Sequence, residues 1–170
     1  VFYYLGKPYL SVEHFYVTQK LIAMNCLNEL AKLNACLKGS NFLNSFLYGK
    51  ITAQEIQENP TYLEWFHNYM KQIKEFGRTR NGDIAKWENV KVKVMELGLS
   101  LKFNNEDMKQ VLLDTKDDIL VECSPYDYFW GVGMSKHSTK EYIEEDIFNE
   151  LRKGLNQLGK SLMKIRQSII

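Results

Sequence analysis

From Ile84 to Phe103 apolar side chains return at three- and four-residue intervals, at Trp87, Val90, Val94, Leu97 and Leu101. That spacing predicts one long amphipathic helix serving as the spine of the core. Shorter elements surround it. Val1 to Leu10 is aromatic and β-prone, with Gly6-Lys7-Pro8 as a turn, which predicts a short hairpin. Ser11 stands as an N-cap, and Glu13 falls in the first turn, where the helix dipole favours negative charge; this helix is expected to run to about Met24. A second is predicted over Leu27 to Leu37, ended by Gly39. Between Asn41 and Phe76 the pattern gives short, aromatic-rich helical pieces broken at Gly49 and Asn59-Pro60. Arg78 to Asp83 reads as an exposed loop. Asn105 to Leu113 continues as helix, and Asp117-Asp118 turns into a strand over Ile119 to Cys123. Ser124 to Lys136 is a loop, Glu141 to Lys153 a charged helix, and Asn156 or Gln157 opens a last helix through Arg166. The expected class is mainly α with a few short β-strands, an α+β fold.

Composition narrows this picture. At 170 residues and 20.0 kDa the chain suits one domain with a sizeable core. The 22 basic residues nearly balance the 21 acidic ones, so no global field draws it to nucleic acid or an anionic membrane. Any phosphate it binds must therefore meet a local pocket. Cys26, Cys36 and Cys123 are an odd number without close spacing, and His14, His67 and His137 are scattered, so no metal site or cofactor is expected. Three reduced thiols, no signal peptide and no apolar run near the ~18 residues of a membrane span predict a cytoplasmic protein off the membrane. The acidic positions Glu141, Glu144, Glu145, Asp146 and Glu150 read as a solvated helix face.

Two segments carry candidate chemistry. Glu13 and Lys20 lie seven residues apart, about two helical turns, which puts both on one face with Tyr16 and Val17 between them. A lysine among apolar neighbours loses part of its preference for the charged form and gains nucleophilic amine, which can attack an anomeric carbon and form a Schiff base. A nearby carboxylate can move protons or steady oxocarbenium charge. The same spacing also fits an unremarkable surface pair. Asp127 sits among Tyr126, Tyr128, Phe129 and Trp130, rings on which a nucleobase could stack; alternatively the loop packs on the core and Asp127 caps a turn. Gly131-Val132-Gly133 is a weak phosphate signal. Gly154 to Lys160 opens the last helix, whose first N–H groups could hold phosphate or simply be capped. Arg78 and Arg80 could grip a diphosphate.

Taken together these residues look familiar. Ser11 to Lys20, Trp87-Glu88-x-x-Lys91-x-x-x-Met95, Leu101-x-Phe103, Leu112-Leu113-x-Thr115, Leu120-Val121-Glu122, Asp127-x-x-Trp130-Gly131-x-Gly133 and Gly154-x-Asn156-x-Leu158-Gly159-x-x-Leu162-Met163-x-x-Arg166 occur in family order and span most of the chain. They resemble the NADAR or YbiA-like family. The resemblance implies a single YbiA-like domain over residues 1–170 and N-glycosidase activity on ribose phosphates and ADP-ribose conjugates. It places the essential glutamate on Glu13, the reactive lysine on Lys20 and the motif aspartate on Asp127. Tyr16, Trp87, Trp130, Gly131, Gly133 and Asn156 are expected to bind substrate.

The chain departs from the family pattern in three places. The N-F-x-S and S-N-F-like segments that usually precede the glutamate helix are not found before Glu13, and the chain starts at Val1 rather than Met, so an N-terminal segment is expected to be wanting. The stretches Asn41 to Phe76 and Ser135 to Lys153 look longer than the compact pattern. Insertions beside a pocket change substrate choice. The leading expectation is cleavage of ADP-ribose from guanine, on a free nucleotide or on ADP-ribosylated nucleic acid, with no obligate protein partner. A riboflavin-pathway aminopyrimidine ribose phosphate is the second candidate substrate, and a non-catalytic ADP-ribose reader the third reading.

Overall fold

Two strands, β1 (Phe2–Tyr4) and β2 (Lys7–Tyr9), pair antiparallel with Phe2 opposite Tyr9, Tyr3 opposite Pro8 and Tyr4 opposite Lys7. The two-residue link leaves Leu5 and Gly6 both at positive φ, 49° and 74°, the backbone that matches the twist of paired strands. The turn thus falls earlier than the Gly6-Lys7-Pro8 read from the sequence. Pro8 is tolerated inside β2 because this sheet has only two strands.

The structure, a computed structural model, describes residues 1–38, 40–144 and 147–169, and of Leu37 and Leu151 the backbone alone. The expected helix stop at Gly39 and the acidic positions Glu145 and Asp146 lie outside the described residues. The chain forms two compact units, Val1–Lys102 and Phe103–Ile170.

In the first unit the hairpin leads into α1 (Val12–Ala23), α2 (Leu27–Lys38), α3 (Asn41–Leu47), α4 (Ala53–Glu58), α5 (Pro60–Gly77) and α6 (Ile84–Phe103). The starts follow side-chain caps: Ser11 accepts from the His14 N–H, Ser40 from Leu43, Thr52 from Glu55 in a reciprocal capping box, and Asn59 from Thr61 and Tyr62 ahead of Pro60. The breaks at Gly49 and Asn59-Pro60 fall where expected. Beyond Pro60, however, α5 runs unbroken for 18 residues rather than as a short piece. Its core joins Leu21, Met24, Leu33, Leu43, Ile73 and Trp87, and a second cluster joins Phe2, Tyr9 and Phe15. Val90, Val94 and Leu101 pack on these clusters, whereas Leu97 stands at the edge of the α6 stripe and is exposed.

The second unit holds α7 (Glu106–Leu113), α8 (Lys136–Glu144), α9 (Phe148–Leu151) and α10 (Gln157–Ser168). Asn105 is the N-cap of α7, so the run from α6 is broken rather than continuous. Ser135 accepts from the Ser138 N–H and starts α8 before the predicted Glu141, and the charged stretch divides into α8 and α9. Ile119 to Cys123 is not a strand. Arg166 Nη1 donates to Thr115 Oγ1 at 2.7 Å and ties α10 to the end of α7. Among the described residues no helix is long and apolar enough to cross a membrane, and Cys26, Cys36 and Cys123 are free thiols.

Leu5 holds a left-handed conformation that costs a non-glycine residue about 1 kcal/mol, with its side chain almost fully exposed. Leu5→Asn, which tolerates that backbone, should raise unfolding stability by about 0.5 to 1 kcal/mol in urea titrations. A loss of stability would contradict the turn assignment.

Candidate active site

Helix α1 buries one face, on which His14, Phe15, Val17, Thr18 and Leu21 are all covered. Glu13, Tyr16 and Lys20 line up as one stripe on the half-buried side, beside Val12, Gln19 and Ala23. The helical repeat therefore sets a carboxylate, a phenol and an amine in a row, each partly removed from water.

The C-terminal half of α5 lies along this stripe. A Cβ on Gly77 would stand 3.0 Å from Val17 Cγ2, so the missing side chain lets the end of α5 come close to α1. Lys20 Nζ donates to the Gly77 carbonyl at 2.6 Å. As the last residue of α5, Gly77 has a carbonyl with no helical acceptor role to fill, and the lysine satisfies it. One turn earlier, Lys74 Nζ stands 3.9 Å from Glu13 Oε2. Two turns of α1 are thus matched by one turn of α5.

The local electrostatics move the two groups in opposite directions. Burial pushes the Lys20 ammonium below its ordinary pKa, and the positive charges of Arg80 and Lys91 add to this; Cys26 and Glu88 oppose it. Burial raises the Glu13 carboxyl above the ordinary value, and Lys74 only partly offsets this. The two pKa values approach each other, which enlarges the fraction of molecules holding a neutral amine beside a protonated acid. Trp87 is buried and meets Tyr16 edge-on, ring centres 4.7 Å apart, so it fixes the Tyr16 ring from behind. Glu13, Tyr16, Lys20 and Trp87 are therefore gathered in the first unit. Lys74 and Gly77 were not singled out by sequence reasoning, since nothing within α5 marks them.

Asp127, Trp130, Gly131, Gly133 and Asn156 belong to the second unit, where most of them hold one loop in shape. Asp127 Oδ1 accepts from the N–H groups of Phe129 at 3.0 Å and Trp130 at 2.7 Å, so it does cap a turn. Asn156, buried and at φ 52°, accepts from Glu122 N at 3.0 Å and donates to Leu120 O at 2.9 Å. This side-chain amide, together with Val132 N donating to Glu122 O at 3.0 Å, gives residues 120–122 hydrogen bonds that a neighbouring strand would supply, and the predicted strand does not form. A Cβ on Gly131 would stand 2.9 Å from Glu122 O and 3.0 Å from Asp127 O. Gly133 takes the left-handed conformation, φ 68°. Trp130 is half-buried and edge-on to Phe129, while Tyr126 is exposed.

The start of α10 is closed by the same loop. Leu155 N donates to Tyr128 O, Asn156 N to Gly131 O, Gln157 N to Phe129 O and Leu158 N to Trp130 O, all at 2.9 to 3.0 Å. Those N–H groups have partners already, so the phosphate reading of this helix start is set aside. Arg78 and Arg80 are exposed in the loop after α5.

Residues 3–170 match the NADAR domain family. Among known proteins, the chain is 39% identical over 84 residues to N-glycosidase Npun_R5314 of Nostoc punctiforme, covering 49% of this chain and 44% of that protein. It is 37% identical over 98 residues to N-glycosidase R617 of Acanthamoeba polyphaga mimivirus, covering 56% and 55%. It is also 36% identical over 85 residues to the chloroplastic riboflavin biosynthesis protein PYRR of Arabidopsis thaliana, covering 49% and 12%. The aligned stretches thus span about half, or less, of these relatives.

Removing the Asn156 amide strands two backbone groups near the buried start of α10. Asn156→Ala should lower unfolding stability by about 2 to 4 kcal/mol in urea titrations. A change within experimental error would show that residues 120–122 do not depend on this side chain.

Proposed function

This chain belongs to the NADAR domain family, and from that premise we propose that it is an N-glycosidase cleaving the bond between a nucleobase and ADP-ribose or a related ribose phosphate, with ADP-ribosylated guanine as substrate. The observation that carries the proposal is the Lys20 amine, half-buried, held on the Gly77 carbonyl and set two turns from Glu13. The names of the Nostoc and mimivirus relatives support the reaction class. The three free cysteines fit a reducing compartment such as the cytoplasm.

In the proposed reaction Lys20, as neutral amine, keeps one N–H on Gly77 O and directs its lone pair at the anomeric carbon. The C–N bond to the base breaks, and the electron pair leaves with the base, which takes a proton from Glu13. Loss of a proton from the nitrogen and opening of the ring, with protonation of its oxygen, gives the Schiff base. Water then adds to that carbon; one of its protons returns to Glu13 and the other passes by way of the carbinolamine to the Lys20 nitrogen. The C–N bond breaks to leave an aldehyde, and the ring hydroxyl closes onto the aldehyde to give the anomeric hydroxyl. The net change is addition of one water. Tyr16, steadied by Trp87, faces the reacting group from the same stripe. From the resemblance, Asp127 steadies sugar hydroxyls and Trp130, Gly131, Gly133 and Asn156 serve substrate binding.

The stretch Asn41–Phe76, longer than the compact family pattern, contributes most of α5, including Lys74 beside Glu13. An added segment so close to the reacting pair favours a substrate larger than a small pathway intermediate. The likeness to PYRR supports the second reading, a riboflavin-pathway aminopyrimidine ribose phosphate. Mass spectrometry of products from a panel holding both substrates separates them: release of guanine supports the first, and turnover of the aminopyrimidine alone overturns it.

Lys20→Arg keeps the charge and a donor to Gly77 O but lacks a nucleophilic amine, so turnover should vanish; Glu13→Gln should lower kcat by about 10² to 10⁴. Full turnover by Lys20→Arg would sink the mechanism. The pH profile of kcat/KM should be bell-shaped, because the pair works with an acid on Glu13 and a free amine on Lys20. Its acid midpoint should lie above 4.5 and its alkaline midpoint below 10.5. Arg80→Ala removes a positive charge that opposes the ammonium, so it should move the alkaline midpoint upward. An alkaline midpoint at or above 10.5 would contradict the desolvated amine.

A further inference from the structure

Within the first unit, β2, α2 and α3 surround a concavity of about 330 Å³ whose polar lining is Lys7, Asn34, Lys38 and Asn44, with Leu47 and Tyr48 beside them. Its frame is fixed by contacts that are independent of Glu13 and Lys20. Tyr3 Oη donates to Leu47 O at 3.4 Å, which ties the hairpin to α3, and Lys7 Nζ donates to Asn34 Oδ1 at 2.8 Å, which ties it to α2.

The charge balance here is one-sided. No carboxylate lines the concavity, and among the described residues neither Lys7 nor Lys38 forms an ion pair. Lys7 is half-buried, and burial together with the positive charge of Lys38 disfavours its ammonium. Among the described residues, the fold therefore holds two cations against each other around an open space lined by no carboxylate. A ligand carrying negative charge relieves both the repulsion and the desolvation, since opposite charges at close range attract most strongly where water is partly excluded. The hydrogen-bonding chemistry points the same way. Because Asn34 spends its carbonyl oxygen on Lys7, its amide nitrogen remains as a donor, and Asn44, whose Nδ2 donates once to the Lys38 carbonyl at 3.5 Å, keeps its second N–H. Two ammonium groups and two amides make a donor-rich lining, complementary to an acceptor-only anion. The volume lies at the lower end of the range of small-molecule sites, enough for a phosphate and part of what it is attached to.

We propose that this concavity is a second anion site, distinct from the Glu13–Lys20 stripe, and that it takes the terminal phosphate of a phosphomonoester, whose two negative charges match the two lysines.

Titrating the full chain with inorganic phosphate at constant ionic strength, read by amide NMR, tests this directly. The result expected is saturable shifts confined to Lys7, Asn34, Lys38, Asn44 and their neighbours. Lys38→Ala, an exposed change that leaves the fold intact, and Lys7→Gln should each weaken phosphate binding about tenfold or more, whereas Lys20→Arg should leave it unchanged. Shifts that never saturate, or that survive both substitutions, overturn the site; loss of binding in Lys20→Arg assigns the phosphate to the catalytic stripe and overturns it too. Ribose 5-phosphate should compete with inorganic phosphate. A dinucleotide with free 5′ and 3′ hydroxyls, whose one phosphate is a diester, should not; equal competition would mark a phosphodiester site instead and contradict the assignment.

Discussion

The constraint on which the first unit turns is the burial of one face of α1. Five of its side chains are covered by the core, and the helical repeat leaves one half-open stripe, on which stand Glu13, Tyr16 and Lys20. Packing decides where these groups point, and the same packing removes part of their water. Desolvation opposes charge of either sign, so a single physical cause raises an acid and lowers an ammonium on one face. The Gly77 carbonyl turns that loss into orientation by holding the amine without neutralising it. An aspartate or glutamate in place of that carbonyl would stabilise the ammonium and undo the effect.

The second unit solves a different problem. Its loop from residue 119 to 135 has almost no regular structure, yet buried backbone groups must find partners. Asn156 supplies them for 120–122, Asp127 for 129–130, and the N–H groups that open α10 are met by carbonyls of the loop in turn. The residues that make up the sequence motif here are thus structural ties as well as candidate contacts. Any substitution at Asp127 or Asn156 must be judged for folding before a loss of activity is assigned to chemistry.

Much of this was legible in the sequence where the cause is local. Ser11, Asn59-Pro60 and the seven-residue step from Glu13 to Lys20 act within a few residues, and each performs as its type and spacing imply. The failures have distant causes. Ile119 to Cys123 has the composition of a strand, but it meets a side-chain amide 34 residues ahead of Glu122 and the single N–H of Val132 rather than a second strand. The turn of the hairpin moved because Gly6 serves as the second turn residue and forces Leu5 into an unfavourable conformation. Helix α8 starts early because Ser135 caps it, and its hydroxyl lies outside the charged stretch that marks the helix in the sequence. At the site, the partial desolvation of Lys20 could be argued from its neighbours in α1, while Lys74 and Gly77 became visible only once α5 lay against it.

The proposed reaction turns on a covalent bond between the Lys20 amine and the anomeric carbon of the substrate sugar. Incubation with ADP-ribosylated guanine and borohydride, followed by peptide mass mapping, measures this directly. The expected result is a stable adduct on the peptide carrying Lys20, with the mass of the reduced ADP-ribose and without the base. Turnover of the substrate with no adduct on Lys20, or an adduct on another residue, would contradict it.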